Sequence, residues 1–314
     1  MKREGYLRQS EETFLRMEKS FLPDGSILQN RYKIEALISG TGMGQVYKAA
    51  DLRFPGKWWA VKVYPKLPSE RFFQEMKSLS ALNHPHLAKV VDFFEEEERS
   101  CMVMEHVNGQ SLEEILDNAT SPVPERQALS WGIQTSDALI YLHGRMKEVT
   151  HYRNLSPKKI LISTLGEVKI VPKSLDLLSE VAQPGLMGYS PPEVFDENAA
   201  PDERADVYTL AAVLHRCLVG QSPGSIPFVF VDVHMANPRI VSHIDLVIEK
   251  ATQANRGKRY FSLGEFRKEL YRCLKKVLKS QPYSFRNMKN APNVWWVIVA
   301  ASGISTVLWL YLFF

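Results

Sequence analysis

Hydrophobic positions along this chain change their period about a third of the way in. Over residues 31–65 they alternate with polar ones, as in Ile34 and Ala36, and residues 45–49 and 58–64 read as strands on either side of a Phe54-Pro55-Gly56 turn. Pro68-Ser69 opens a helix to about Leu82, with Phe72, Met76 and Leu79 on one face. Two more strands flank the acidic stretch 95–98, a solvated hairpin tip.

From Ser111 onward the period lengthens to that of a helix. Ala128, Trp131, Thr135, Ala138, Leu139 and Leu142 share one face of a long helix, and residues 205–219 are apolar nearly all round, as in a helix at the centre of a domain. Residues 160–162 and 168–171 are short strands joined through Leu165-Gly166. Ser262-Leu263-Gly264-Glu265 fits a capping box, whose helix turns Phe266, Leu270, Leu274 and Val277 inward. Strands first and helices second predict an α+β chain with a small β-rich lobe and a larger α-rich one. A leader over residues 1–28 precedes them, in which Phe14, Leu15, Met17 and Phe21 form the one stripe of a short helix.

Composition changes this picture at the C-terminal end. The chain has 45% hydrophobic and 24% charged residues, as ordinary folded proteins do. Its three cysteines, Cys101, Cys217 and Cys273, are far apart and fit neither a disulfide framework nor a zinc site. Residues 1–29 lack the apolar core of a secretory signal. The net charge of +4 is uneven: Lys250 to Lys289 holds 12 Lys and Arg against Glu265 and Glu269, which leaves the remainder acidic.

Directly after that basic stretch, residues 294–314 carry no charge, with Trp295, Trp296, Trp309 and Tyr311 near the two ends. A helix of this length reaches about 31 Å, the thickness of a bilayer core. The pattern predicts one transmembrane helix at 294–314 and a basic juxtamembrane linker at 281–293. Lys275, Lys276, Lys279, Arg286 and Lys289 precede the span, so the positive-inside rule places the folded domain in the cytoplasm, single-pass at the cell membrane. A basic stretch beside a membrane is an anionic-lipid contact rather than a nucleic-acid site.

Candidate chemistry centres on Tyr152-Arg153-Asn154-Leu155-Ser156-Pro157-Lys158-Lys159. This resembles the protein-kinase catalytic loop, His-Arg-Asp-Leu followed by three variable residues and Asn. In that family the Asp accepts the substrate hydroxyl's proton and the Asn holds magnesium. Here Asn154 stands for the Asp, Ser156 for a neighbouring Lys and Lys159 for the Asn. Val168-Lys169-Ile170-Val171-Pro172 is similar to the strand leading into Asp-Phe-Gly, with Pro172 in place of the metal-binding Asp. Gly188-Tyr189-Ser190-Pro191-Pro192-Glu193 resembles the Ala-Pro-Glu segment, and Leu186 occupies the place of the substrate-loop Thr.

Other stretches match in the family's order. Residues 38–47, Ile38-Ser39-Gly40-Thr41-Gly42-Met43-Gly44-Gln45-Val46-Tyr47, look like the phosphate-covering loop, with the first two family glycines replaced by Ser39 and Thr41. Trp59-Ala60-Val61-Lys62 resembles Val-Ala-Ile-Lys, Glu75 its helix partner, and residues 101–109 the hinge between lobes. The resemblance, to bacterial eukaryotic-like Ser/Thr kinases, implies a bilobal protein-kinase-like fold over residues 29–280. It implies a nucleotide-binding set of Gly40, Gly42, Gly44, Val46, Ala60, Lys62, Glu75, Glu105, Val107 and Lys159. It also implies structural anchors at Arg153, Glu193, Asp206 and Arg259.

The reacting groups are lost together and the anchors are kept. The expected protein is therefore a pseudokinase without catalytic residues or a bound metal, binding ATP weakly and without magnesium, and engaging a protein partner as a membrane-anchored scaffold. Two other uses remain open: an atypical active Ser/Thr kinase with Lys159 or Lys173 replacing metal charge, and a nucleotide sensor acting by population shift.

Overall fold

The computed structural model describes residues 22–41, 44–145, 155–171, 188–196, 202–223 and 229–280. The expected leader stripe and the 294–314 span lie outside them. Among the described residues no helix is long and apolar enough to cross a membrane.

The small lobe is a six-stranded antiparallel sheet in the order β1-β2-β3-β4-β6-β5. Its strands are β1 (Ile27–Leu28), β2 (Tyr32–Thr41), β3 (Gly44–Asp51), β4 (Trp58–Pro65), β5 (Val90–Glu96) and β6 (Arg99–Glu105). Side chains alternate between faces along a strand, and here both faces are buried. Val61, Val63, Cys101 and Val103 join Tyr32, Ile34, Tyr47 and Ala49 on one face, which Leu22 and Leu28 help to close. Ala60, Tyr64, Met102 and Met104 face the other way, onto Phe72, Met76 and Leu79 of helix α1 (Ser69–Ser80) and the large-lobe core. The same alternation puts Lys62 on the side of Ala60 and Tyr64, toward the cleft.

The large lobe begins with β7 (Gly109–Ser111), which pairs with β8 (Ile160–Ser163), itself paired with β9 (Val168–Ile170). Its helices are α2 (Leu112–Asn118), α3 (Glu125–Arg145), α4 (Glu203–Val219), α5 (Val233–Ala236), α6 (Ile244–Ala251) and α7 (Leu263–Ser280). Ser111 and Glu114 form a reciprocal capping box at the start of α2. From Ala205 to Val219 every residue of α4 is buried, as its pattern predicts. The helix stops at Gly220, whose positive φ of 81° lets its N–H turn back to the Arg216 carbonyl.

α7 packs on α3, α4 and α6. Two details of its expected start and face differ. Ser262 accepts the Glu265 N–H, but the Glu265 carboxylate accepts from Phe261, one residue before the expected partner. Cys273 is buried with Phe266, Leu270 and Val277, while Leu274 is half-buried and packs against the same core.

Strand β9 also touches the small lobe. Ala88 donates to the Ile170 carbonyl and Ile170 to the His86 carbonyl, both at 2.9 Å, and His86 Nδ1 lies 3.0 Å from the Val168 carbonyl. The loop between α1 and β5 thus bonds to a strand of the large lobe.

Candidate nucleotide cleft

Strands β2 and β3 pair across the stretch that resembles the phosphate-covering loop. Ser39 pairs with Val46, Gly40 with Gln45 and Thr41 with Gly44, and Gly42 and Met43 lie outside the described residues. Gly40 and Gly44 play different parts. A Cβ on Gly40 would meet only Gln45 Cγ, at 3.9 Å. Gly44 has φ +153°, and a Cβ there would stand 2.8 Å from the Val63 carbonyl and 3.4 Å from Lys62 Cε. Gly44 is therefore required by its backbone conformation and by the closeness of the Val63 carbonyl.

Lys62 is held between Val46 and Met102 in the sheet, and its Nζ lies 4.8 Å from the centre of the Tyr64 ring. Glu75 is half-buried on α1, beside the fully buried Met76. Ala60 pairs with Met104, and Val46 packs against the same core, so both contribute to the roof of the cleft.

At the hinge, the Glu105 carboxylate is engaged by Lys169 of β9, with Nζ 2.8 Å from Oε1 and 2.9 Å from Oε2. That pair takes up the Glu105 side chain and leaves the backbone as its means of meeting a nucleotide. Beside it His106 has its pKa lowered, first by burial and then by the charge of Lys48. Val107 leads on to β7.

The floor of the cleft carries the replacements. Ser156 and Pro157 are buried, and a 3-10 turn over Pro157–Lys159 follows, closed by the Lys159 N–H on the Ser156 carbonyl at 2.9 Å. Val171 then donates to the Lys159 carbonyl at 3.0 Å. Lys159, aligned with the family's metal-holding Asn, is thereby bonded to the residue that follows strand β9. Arg153, Asn154, Pro172 and Leu186 lie outside the described residues.

Of the expected anchors, Glu193, Asp206 and Arg259 lie among the described residues. Arg259 has five N–H donors, and all are used. Nε donates to Gln253 O at 2.6 Å, Nη1 to Glu193 Oε1 at 2.5 Å and Arg204 O at 3.2 Å, and Nη2 to Glu193 Oε2 at 2.9 Å and Ala254 O at 3.0 Å. Its side chain is 0% exposed and lies over the Tyr208 ring at 4.9 Å.

Asp206, buried near the start of α4, sits 2.7 Å from His143 Nε2 at the end of α3. Burial works against the charged imidazole, but the hydrogen bond and charge of Asp206 outweigh it and raise the His143 pKa. Three partners were not visible in the sequence pattern. These are His143 for Asp206, Lys169 for Glu105, and the Arg216 cluster, in which Arg216 donates to Tyr189 Oη at 2.9 Å and to Asp117, with Glu113 at 3.8 Å.

These features define a bilobal kinase fold. The family described as Protein kinase domain matches residues 32–296 of the 314, and the chain belongs to that family. Curated relatives are bacterial Ser/Thr kinases. PknA of Mycobacterium tuberculosis is 35% identical over 219 residues, covering 63% of this chain and 49% of that protein. PknB of Mycobacterium leprae is 30% identical over 274 residues, covering 78% and 43%. The chain thus spans less than half the length of these relatives.

Among solved structures, the Mycobacterium tuberculosis PknI kinase domain superposes with a TM-score of 0.65 at 23% identity, over 81% of this chain and 100% of that one. Rad53 in complex with AMP-PNP gives 0.64 at 24%, over 76% and 64%. At these identities the likeness is one of fold.

Proposed function

We propose that this protein is a membrane-anchored pseudokinase, whose cytoplasmic kinase-like domain binds a protein partner and takes up ATP weakly without magnesium. The observation that carries the reading is the Lys159 position. A kinase uses an Asn there to hold a metal that bridges phosphate oxygens. Lys159 brings a cation instead, and its carbonyl accepts from Val171, which precedes Pro172, a residue with no side-chain ligand to offer. Phosphoryl transfer depends on positioning and on metal charge, and a neutral Asn154 takes up no proton at pH 7. Lys62 and Glu75 remain to meet a nucleotide. Residues 294–314 supply the anchor, and the basic residues before them orient it.

The test of inactivity is incubation of the full chain with γ-labelled ATP, magnesium and generic protein substrates. No transfer is expected, to itself or to substrate, and Asn154→Asp alone restores none. Robust incorporation by the wild type would overturn the reading.

Calorimetry of ATP binding tests the cleft. Affinity is expected to be similar in EDTA and in magnesium, and Lys159→Ala should weaken it about tenfold, ~1.4 kcal/mol. Binding that needs magnesium and ignores the substitution would remove Lys159 from the site.

A further inference from the structure

We infer that the exposed face of α7 is a docking surface for an anionic lipid bilayer, laying the large lobe against the membrane. This rests on the anchor reading and adds to it a folded surface. The buried side of α7 is set by Phe266, Leu270, Cys273 and Val277. Its opposite side carries Lys268, Arg272, Lys275, Lys276 and Lys279, all exposed, with Tyr271 and Leu278 exposed among them at 43% and 46%.

Neighbouring cations have partners: Lys250 with Glu265, Arg267 with Asp137 and Arg272 with Glu269. Among the described residues, Lys268, Lys275, Lys276 and Lys279 have no carboxylate within ion-pair distance. From Leu270 to Asn293 the sequence has six Lys and Arg and no acid. A lysine or two in the last turn would satisfy the helix dipole; a face of four unpaired lysines extending two turns further back exceeds that need.

Distance agrees with charge. Residues 281–293 separate the end of α7 from the apolar stretch. At full extension they reach about 45 Å, and any less extended path brings α7 closer to the lipid headgroups. Lysines at such a surface are drawn to phosphatidylglycerol or phosphatidylserine, while exposed Tyr and Leu side chains enter the headgroup boundary.

The experiment uses the full chain reconstituted in phosphatidylcholine vesicles, with and without phosphatidylglycerol. Amine labelling read by mass spectrometry follows each lysine, and carbonate extraction reports membrane integration. Lys268, Lys275, Lys276 and Lys279 are expected to label roughly fivefold more slowly on the anionic vesicles, with the small-lobe Lys57 and Lys77 unchanged. High salt, or Lys275→Glu with Lys279→Glu, should abolish the difference. Circular dichroism confirms that the double variant is folded. Carbonate-resistant integration with equal labelling on both vesicles overturns the docking surface and leaves the anchor. Slowed labelling on vesicles from which carbonate strips the protein removes the anchor and keeps the surface. Fast labelling without integration overturns both.

Discussion

Two charged sites in this molecule were treated in opposite ways. Around Arg259, every donor of a buried guanidinium has an acceptor, and one carboxylate and three backbone carbonyls converge from separate elements. Along the cleft floor, the positions that would handle phosphate and metal hold Ser156 and Lys159, and the loop above has Ser39 and Thr41 for glycines. The first site ties the segment after Gly188 to α4 and to the loop before α7. On the pseudokinase reading proposed above, the second has no reaction to serve. The buried pair on the large lobe is fully satisfied, while the cleft floor departs from the family pattern at its phosphate and metal positions.

The largest way to break that contrast is Arg259→Met. It leaves the nearly buried Glu193 carboxylate and three carbonyls without a donor, a loss of about 3–5 kcal/mol. In a domain of this size the midpoint of thermal unfolding should fall by roughly 6–20 °C. Adding Glu193→Leu should recover part of it, since an apolar pair is tolerated better than an orphaned charge. An unchanged melting point in Arg259→Met would mean that the large lobe does not depend on this pair.

A smaller effect separates the two glycines of the loop. Gly44→Ala forces a side chain into a backbone conformation with positive φ and against the Val63 carbonyl, so ~1–3 kcal/mol is expected. Gly40→Ala should stay within about 0.5 kcal/mol, having open space around it. Urea titration of both variants reads the difference; equal losses would remove the distinction between a glycine the fold needs and one it merely retains.

The smallest effect is one of pH, at His143. Its folded pKa is raised, so its contribution is fully present below the unfolded value of about 6.5 and is lost as pH rises through the folded value. Stability measured across pH 5.5 to 8.5 should decline on this account, and His143→Gln should flatten that part of the profile. A slope that persists in the variant would assign it to another group.

Much of this was legible in the sequence because it depends on short-range pattern. The strand expected over residues 58–64 is β4, and the Gly-rich turn expected before residue 45 falls between β2 and β3. The all-round apolar run of α4 marked the centre of the large lobe, and Glu193 and Arg259 could be paired through the family pattern. The partners of Asp206, Glu105 and Arg216 were not visible, because they lie 63, 64 and 99 residues away in the chain and no local period links them. The Lys169 pair occupies the Glu105 carboxylate, which leaves the hinge backbone as the part free to meet a ligand. Sequence spacing fixes which residues share a face, and the neighbouring helices fix how that face is turned.

Strand β9 belongs to the large-lobe sheet and is also stitched to the small lobe by the His86 and Ala88 bonds. Sliding one lobe over the other along this seam would shear those bonds together. Rotation about the strand stretches them little. β9 is thus placed as an axle between the lobes, with Val171 directly after it. A rotation about that axle would carry strands β2 and β3 through an arc and leave the Lys159 carbonyl, which accepts from Val171 beside β9, near its place.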